Sequence, residues 1–177
     1  MRIVVTGGAA SGKSAHAERI LCRHTPDVSR LYLATMQPFG KAAESRIARH
    51  RTLRAGKGFD TAERYTDLAH FRAARPYGGI LLECMSNLLA NELFAPDGAG
   101  RNAVRAILAG LDALEAQCNV LVVVTNEIFA DGEAYPEETM RYMRMLGIIN
   151  QALFSSADAA AESVCGILVP YKGEHLL

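Results

Sequence analysis

The sequence has no tryptophan and no excess of charge of either sign. Its 177 residues include 19 Lys and Arg against 19 Asp and Glu. Proteins that coat nucleic acid or bind acidic membrane surfaces usually carry a positive excess, so the balance argues against a nucleic-acid partner. Apolar residues make up 50% of the sequence and charged residues 21%. That proportion is typical of a globular protein and excludes a disordered chain.

Long apolar runs are also missing. The longest ones, such as Val120–Val124, are far shorter than the roughly 18 residues that a membrane-spanning helix needs. The first residues, Met1–Thr6, reach Gly7 too soon to hold the apolar region of a signal peptide. We therefore expect no membrane span and a cytoplasmic protein.

The cysteines do not form a recognisable metal or disulfide pattern. The four of them are far apart, with no C-x-x-C pair: Cys22, Cys84, Cys118 and Cys165. This spacing argues against a zinc site and against a disulfide framework. We expect all four to be reduced thiols.

Apolar segments of strand length alternate with segments of helical periodicity along the whole chain. The predicted strands are Arg2–Thr6, Leu31–Ala34, Asp60–Arg64, Gly79–Glu83, Val120–Thr125 and Val164–Val169. The predicted helices are Lys13–Arg23, Lys41–Ala55, Asp67–Ala74, Ser86–Phe94, Ala103–Gln117 and one that begins at Pro136. Alternation of this kind predicts an α/β fold with a mostly parallel sheet and helices on both faces. The length suits a single domain over residues 1–177.

A phosphate-binding loop is the strongest motif. Gly7-Gly8-Ala9-Ala10-Ser11-Gly12-Lys13-Ser14 fits G-x-x-x-x-G-K-[ST] and lies between a predicted strand and a predicted helix. Glycines let backbone N–H groups surround phosphate oxygens, and the helix N-terminus adds partial positive charge. Lys13 is expected to reach the distal phosphates and the Ser14 hydroxyl to hold Mg²⁺. The motif indicates a nucleoside triphosphate site.

Such a site also needs a carboxylate at the end of a neighbouring strand, on the side of the metal ion. Glu83 follows one apolar strand and Glu127 lies just past another. Their spacing in the sequence does not choose between them.

A histidine lies within a basic predicted helix. Arg46, His50 and Arg54 are four residues apart and share one helix face. This pattern has three interpretations: a solvated basic face, a small nucleic-acid patch, or a helix that handles phosphate and uses imidazole as a nucleophile. Neutral imidazole is nucleophilic near neutral pH, and flanking guanidinium groups offset charge growing on phosphorus. The other histidines, including His16, are expected to be surface bystanders.

Several segments together resemble one enzyme family. They are the loop Thr6–Ser14, Tyr32-Leu33-Ala34-Thr35, Arg46-Ile47-Ala48-Arg49-His50-Arg51, Leu81-Leu82-Glu83-Cys84, Val124-Thr125-Asn126-Glu127 and Gly147-Ile148-Ile149-Asn150-Gln151. The family is the bifunctional adenosylcobinamide kinase / adenosylcobinamide-phosphate guanylyltransferase of cobalamin biosynthesis. The resemblance covers nearly the whole chain.

This resemblance implies a RecA-like P-loop NTPase fold and two reactions. In the first, ATP or GTP phosphorylates adenosylcobinamide. In the second, GMP passes from GTP to adenosylcobinamide phosphate through a guanylyl-histidine, whose position here is His50. Lys13 and His50 are then the catalytic residues, with Mg²⁺ as cofactor and the two cobinamides as substrates.

The resemblance also implies a set of nucleotide contacts and an assembly. Beyond the loop Gly7–Ser14, the implied contacts are Ala34, Thr35, Met36, Arg51, Thr52, Leu53, Arg54, Glu63 and Glu83. Ser14 and Glu83 are the implied metal ligands, and a homotrimer is the implied assembly. Two alternatives are a simple P-loop kinase of a small metabolite and a nucleotide-binding module without turnover.

Overall fold

Strands and helices alternate along the chain in the computed structural model. It describes residues 1–130 and 132–177, and only the backbone of residues 42, 43, 46 and 53. The strands are β1 (Arg2–Thr6), β2 (Arg30–Ala34), β3 (Phe59–Glu63), β4 (Gly79–Glu83), β5 (Val120–Val124), β6 (Ala159–Val164) and β7 (Ile167–Lys172). The α-helices are α1 (Lys13–His24), α2 (Gly40–Arg54), α3 (Met85–Phe94), α4 (Ala103–Glu115) and α5 (Glu137–Ser156).

The strands form one sheet in the order β3-β2-β4-β5-β1-β6-β7. Strands β1 to β6 are parallel, and β7 runs antiparallel to β6. The register places Ala34, Glu63 and Glu83 side by side at the ends of β2, β3 and β4. Ligands of open parallel sheets bind outside the carboxyl ends of the strands, and this edge carries the phosphate-binding loop as well.

Helices cover both faces of the sheet, as predicted. Helix α1 packs Ala17, Ile20 and Leu21 on one face, against side chains of β1 and β5. The opposite face is covered by α3, α4 and α5, whose contributions include Leu88 and Ile107. Burial of one such leucine or isoleucine stabilises the fold by about 1.5–3 kcal/mol, so the two layers fix the sheet that carries the loops.

The single strand predicted at Val164–Val169 is wrong. The segment contains the end of β6, a tight turn and the start of β7. The turn residues Cys165 and Gly166 have φ values of 50° and 83°. Two successive residues in the left-handed region fit the twist of an antiparallel hairpin, and they interrupt the strand.

The predicted helix Asp67–Ala74 is also wrong, because only Leu68–His70 forms a single 3-10 turn. Asp67 has a φ of 53°, which is incompatible with a continuing helix. Leu68 is buried against α4, where a side chain at Gly110 would lie 2.4 Å from its Cβ. In the described ranges, no helix combines the length and the apolar character needed to cross a membrane.

Candidate functional site

The loop between β1 and α1 has the shape that its glycines predict. Gly7 and Gly12 have φ values of 148° and 95°, which residues with a side chain rarely adopt. A Cβ on Gly7 would lie 2.5 Å from the carbonyl oxygen of Ser163. Nζ of Lys13 donates a hydrogen bond of 2.9 Å to the carbonyl oxygen of Gly8. The lysine therefore folds back over the loop that it belongs to.

The ammonium group of Lys13 is poorly solvated. Burial lowers the pKa of Lys13, although the nearby Cys84 and Glu83 oppose this effect. A cation that has lost part of its water gains from an added anion. The site is therefore electrostatically ready for phosphate oxygens.

Glu83 connects the phosphate-binding loop to α2. It stands at the end of β4, is 8% exposed, and its Oε1 accepts a hydrogen bond from the Ser14 hydroxyl. Nδ1 of His50 lies 3.7 Å from the same oxygen. Spacing in the sequence left Glu83 and Glu127 open as candidates for the metal side, and the family resemblance implied Glu83. Glu127 instead accepts a hydrogen bond of 2.7 Å from the backbone N–H of Phe129, within its own turn.

The oxygens of Ser14 and Glu83 fit a magnesium ion. Oε2 of Glu83 is buried without a hydrogen-bond partner, so one carboxylate oxygen is available. Mg²⁺ prefers oxygen ligands and commonly takes one or two from the protein, with water and phosphate completing its shell.

Helix α2 brings His50 and Arg54 to the same cleft. They are one turn apart, and Arg54 is 7% exposed. The guanidinium carbon of Arg54 lies 3.4 Å from the ring centroid of Tyr32, which is a close cation–π contact. Nδ1 of His50 and Nη1 of Arg54 are both buried without hydrogen-bond partners. Two buried polar atoms that lack hydrogen bonds on one helix face are typical of a site that binds a polar ligand.

A cleft that is partly open to solvent lies between α2 and the sheet edge. It collects most of the site residues that were predicted beyond the loop: Ala34, Met36, His50, Arg51, Arg54, Glu63 and Glu83. At its outer side, Nη2 of Arg51 lies 3.6 Å from Oε1 of Glu63. The hydroxyl of Tyr65 donates to Glu63, and burial together with this bond raises the pKa of Tyr65 to about 12.

Three further predicted residues are placed differently. Thr35 is fully buried, and its hydroxyl and backbone N–H are bonded to Cys84 and Glu83 across β4. Thr52 is exposed, with its hydroxyl bonded to the carbonyl of Ala48. The side chain of Leu53 lies outside the described residues.

Sequence reasoning missed five residues that line the cleft: Tyr32, Ile47, Thr61, Cys84 and Asn87. Asn87 donates a hydrogen bond of 3.2 Å to the Cys84 sulfur, and burial raises the pKa of the Cys84 thiol. A protonated, bonded thiol is a weak nucleophile, so Cys84 shapes the cleft. The usable signal was the alternation in β2, which turns Tyr32 and Ala34 away from Leu31 and Leu33.

An ion pair joins α1 to the turn after α2. Nζ of Lys57 lies 2.6 Å from Oε2 of Glu18, whose side chain is 1% exposed. Glu18 lies in the helix that begins at the phosphate-binding loop. The pair therefore connects the middle of α1 to the end of the helix that carries His50.

The expectation that His16 is a surface bystander is wrong. The side chain is 8% exposed and lies in the second turn of α1, bonded to the turn between β6 and β7. Its spacing in the sequence gave no sign of this contact, because the hairpin was not predicted.

The loop, the strand-end carboxylate and the parallel sheet define a P-loop nucleotide-binding protein. Residues 3–171 match the family described as cobinamide kinase / cobinamide phosphate guanyltransferase. The chain belongs to that family of transferases, in agreement with the resemblance seen in its sequence.

Curated relatives are similar over almost their whole length. The chain is 36% identical to the bifunctional adenosylcobalamin biosynthesis protein CobU of Salmonella typhimurium, over 97% of this chain and 100% of that protein. It is 31% identical to the bifunctional adenosylcobalamin biosynthesis protein CobP of Pseudomonas aeruginosa, over 99% and 100% of the two chains. Among solved structures, the ATPase domain of G40P has a TM-score of 0.50 at 9% identity, covering 91% of this chain and 68% of that one. That likeness concerns the fold alone.

Proposed function

We propose that this protein phosphorylates adenosylcobinamide and then converts the product to adenosylcobinamide-GDP through a guanylyl group carried on His50. One observation supports the proposal most directly. His50 on α2 and Ser14 of the phosphate-binding loop meet at one carboxylate oxygen of Glu83. A triphosphate held by the loop would therefore extend into the cleft that His50 lines.

In the kinase half-reaction, the hydroxyl oxygen of the cobinamide arm forms a bond to the γ-phosphorus, the bond to the β–γ bridging oxygen breaks, the nucleoside diphosphate leaves, and the hydroxyl proton passes to solvent. Backbone N–H groups of the loop and Lys13 bind the phosphate oxygens. Lys13 exchanges its bond to the Gly8 carbonyl for these oxygens. A magnesium ion held by Ser14 and Glu83 would neutralise phosphate charge. ATP and GTP both have the triphosphate that this half-reaction needs.

In the guanylyl half-reaction, an imidazole nitrogen of His50 attacks the α-phosphorus of GTP, and pyrophosphate leaves. The Glu83 carboxylate faces Nδ1, so the neutral tautomer with its proton on Nδ1 is favoured. Nε2 then carries the lone pair and becomes the nucleophile. A phosphate oxygen of the cobinamide phosphate next attacks the same phosphorus, and the P–N bond breaks to restore the imidazole.

Arg54 stabilises the second half-reaction. Its stacked guanidinium presents an unpaired Nη1 one helical turn from His50. A fixed cation in a poorly solvated cleft offsets the charge that develops on the α-phosphate. A cytoplasmic location and a homotrimeric assembly, both expected from the family resemblance, complete the proposal.

The test is the intact mass of the protein after incubation with Mg-GTP, for the wild type, His50→Ala and His70→Ala. His70 is an exposed histidine bonded to Asp67 and serves as the matched control. We expect one guanylyl group on the wild type and on His70→Ala, released by acid because phosphoramidates are acid-labile, and none on His50→Ala. Phosphate transfer to adenosylcobinamide should survive in His50→Ala. A wild type that binds Mg-GTP but never gains mass would leave only the kinase half.

A further inference from the structure

The turn between β6 and β7 contacts the phosphate-binding loop from behind. The carbonyl oxygen of Ser11 accepts two hydrogen bonds from this hairpin. One comes from the backbone N–H of Gly166, at 2.9 Å, and the other from the hydroxyl of Ser163, at 2.7 Å. Ser163 is 1% exposed. The bond from Ser163 is therefore shielded from competing water, whereas Gly166 lies in the exposed part of the turn.

These two bonds orient the next backbone N–H of the loop. In a planar trans peptide, the carbonyl of Ser11 and the N–H of Gly12 point in opposite directions. Holding the Ser11 carbonyl toward the hairpin therefore aims the Gly12 N–H away from it, into the loop. Backbone N–H groups in that position bind phosphate oxygens.

His16 fastens the hairpin from the other side. Its Nε2 lies 3.0 Å from the carbonyl oxygen of Gly166, and its Nδ1 lies 2.6 Å from Nη2 of Arg19. Guanidinium only donates, so Nδ1 is the acceptor, and Nε2 carries the proton that it donates to Gly166. Gly166 is thus held through its N–H by the loop and through its carbonyl by α1.

We propose that His16 is a positioning residue: it holds the β6–β7 turn against the phosphate-binding loop and keeps that loop ready for a nucleotide. The proposal rests on nucleotide binding at the loop and is independent of the covalent step on His50. Without the bond from His16, the loop spends part of its time in other conformations. The apparent Kd then rises by the reciprocal of the competent fraction, whereas turnover at saturating nucleotide is retained.

The test compares His16→Ala, His16→Gln and His24→Ala. Glutamine restores a donor near the position of Nε2. His24 is the matched control, because it also lies on α1 and its Nε2 is 2.8 Å from a carbonyl, that of Leu176, but far along the helix from the loop. Calorimetry gives the Kd for Mg-GTP, and steady-state phosphorylation of adenosylcobinamide by Mg-GTP gives kcat and KM. Circular dichroism confirms folding.

Loss of one buried hydrogen bond corresponds to about a fivefold to tenfold change in an equilibrium constant. We expect His16→Ala to raise Kd and KM by about this factor, with kcat nearly unchanged. His16→Gln should recover most of the affinity, and His24→Ala should bind as the wild type does. If His16→Ala does not fold, Ser163→Ala removes one of the two bonds to Ser11 and should also raise Kd.

Three results would overturn the proposal. A folded His16→Ala that binds Mg-GTP with wild-type affinity contradicts it directly. Equal weakening by His24→Ala would reduce His16 to a general stabiliser of α1. A wild type that does not bind Mg-GTP would overturn the proposed function and this inference together, and so differs from the first two results.

Discussion

Nδ1 of His50 lies 3.7 Å from Oε1 of Glu83, in the range of an ion pair but beyond that of a hydrogen bond. The same oxygen already accepts the Ser14 hydroxyl. One carboxylate thus serves both the loop that binds phosphate and the helix that carries the imidazole. A small approach of α2 would let the imidazole donate to it, so in the proposed mechanism this carboxylate takes part in both half-reactions.

Glu83→Gln should weaken the dependence of nucleotide binding on magnesium. The amide keeps the shape and an acceptor for Ser14 but loses the charge that attracts the ion. We expect the ratio of Kd for GTP without and with Mg²⁺ to fall toward one, measured by calorimetry. Glu127→Gln is the matched control, since Glu127 bonds within its own turn. If Glu127→Gln lost the magnesium effect and Glu83→Gln kept it, the metal ligand would be reassigned.

Arg54→Lys should slow guanylyl loading of His50 by roughly tenfold or more, because lysine lacks the planar group that stacks on Tyr32. Arg49 directly precedes His50 and lies on the exposed side of α2, so Arg49→Lys should be guanylylated at the wild-type rate. Single-turnover kinetics with GTP labelled at the α-phosphorus measures both. Equal rates in the two variants would remove Arg54 from the proposed mechanism.

Gly7→Ala should destabilise the protein by about 1–3 kcal/mol, since the new methyl would meet Ser163 at 2.5 Å with φ at 148°. Gly8→Ala has open space around its Cβ and should unfold at nearly the wild-type denaturant concentration. Chemical denaturation without nucleotide compares the two. If Gly7→Ala were as stable as Gly8→Ala, the backbone at Ser163 could move away from the new methyl group at little cost in free energy.

Lys13→Met should abolish nucleotide binding without lowering the stability of the free protein at neutral pH. Burial lowers the pKa of Lys13 below its usual 10.5. Between the lowered pKa and 10.5, the unfolded chain binds more protons than the folded chain, so the free energy of unfolding of the wild type rises with pH. Denaturation at about pH 7 and about pH 10 should therefore show that the free energy of unfolding of the wild type increases relative to that of Lys13→Met at the higher pH. A gap that widens in favour of the variant as pH rises would contradict this.

The parts of the fold that sequence predicted well are those with local causes. The loop Gly7–Ser14 is encoded by glycines with special backbone angles, and β1 and β5 are continuous apolar runs. The β6–β7 hairpin was missed because apolar residues continue on both sides of its turn, at Val164 and Ile167. Periodicity alone does not register a turn in such a segment.

The sequence named candidate residues of the cleft but not their arrangement. Helix α2 has little apolar periodicity, so nothing local indicated which of its faces meets the sheet. Spacing did not separate Glu83 from Glu127, because their hydrogen bonds to Ser14 and Phe129 form only in the folded chain. The stacking of Arg54 on Tyr32 joins separate elements, and neither residue signals the other.

The ion pair between Glu18 and Lys57 bears on the distance between the phosphate-binding loop and His50. Glu18 lies on α1, which begins at the phosphate-binding loop, and Lys57 follows α2, so the pair links the C-terminal end of α2 to the helix of the loop. A movement of His50 would then be a rotation of α2 about its held C-terminal end. In the proposed mechanism, lengthening the Gly56-Lys57-Gly58 turn would shift His50 relative to the triphosphate and change which phosphorus atom lies within its reach.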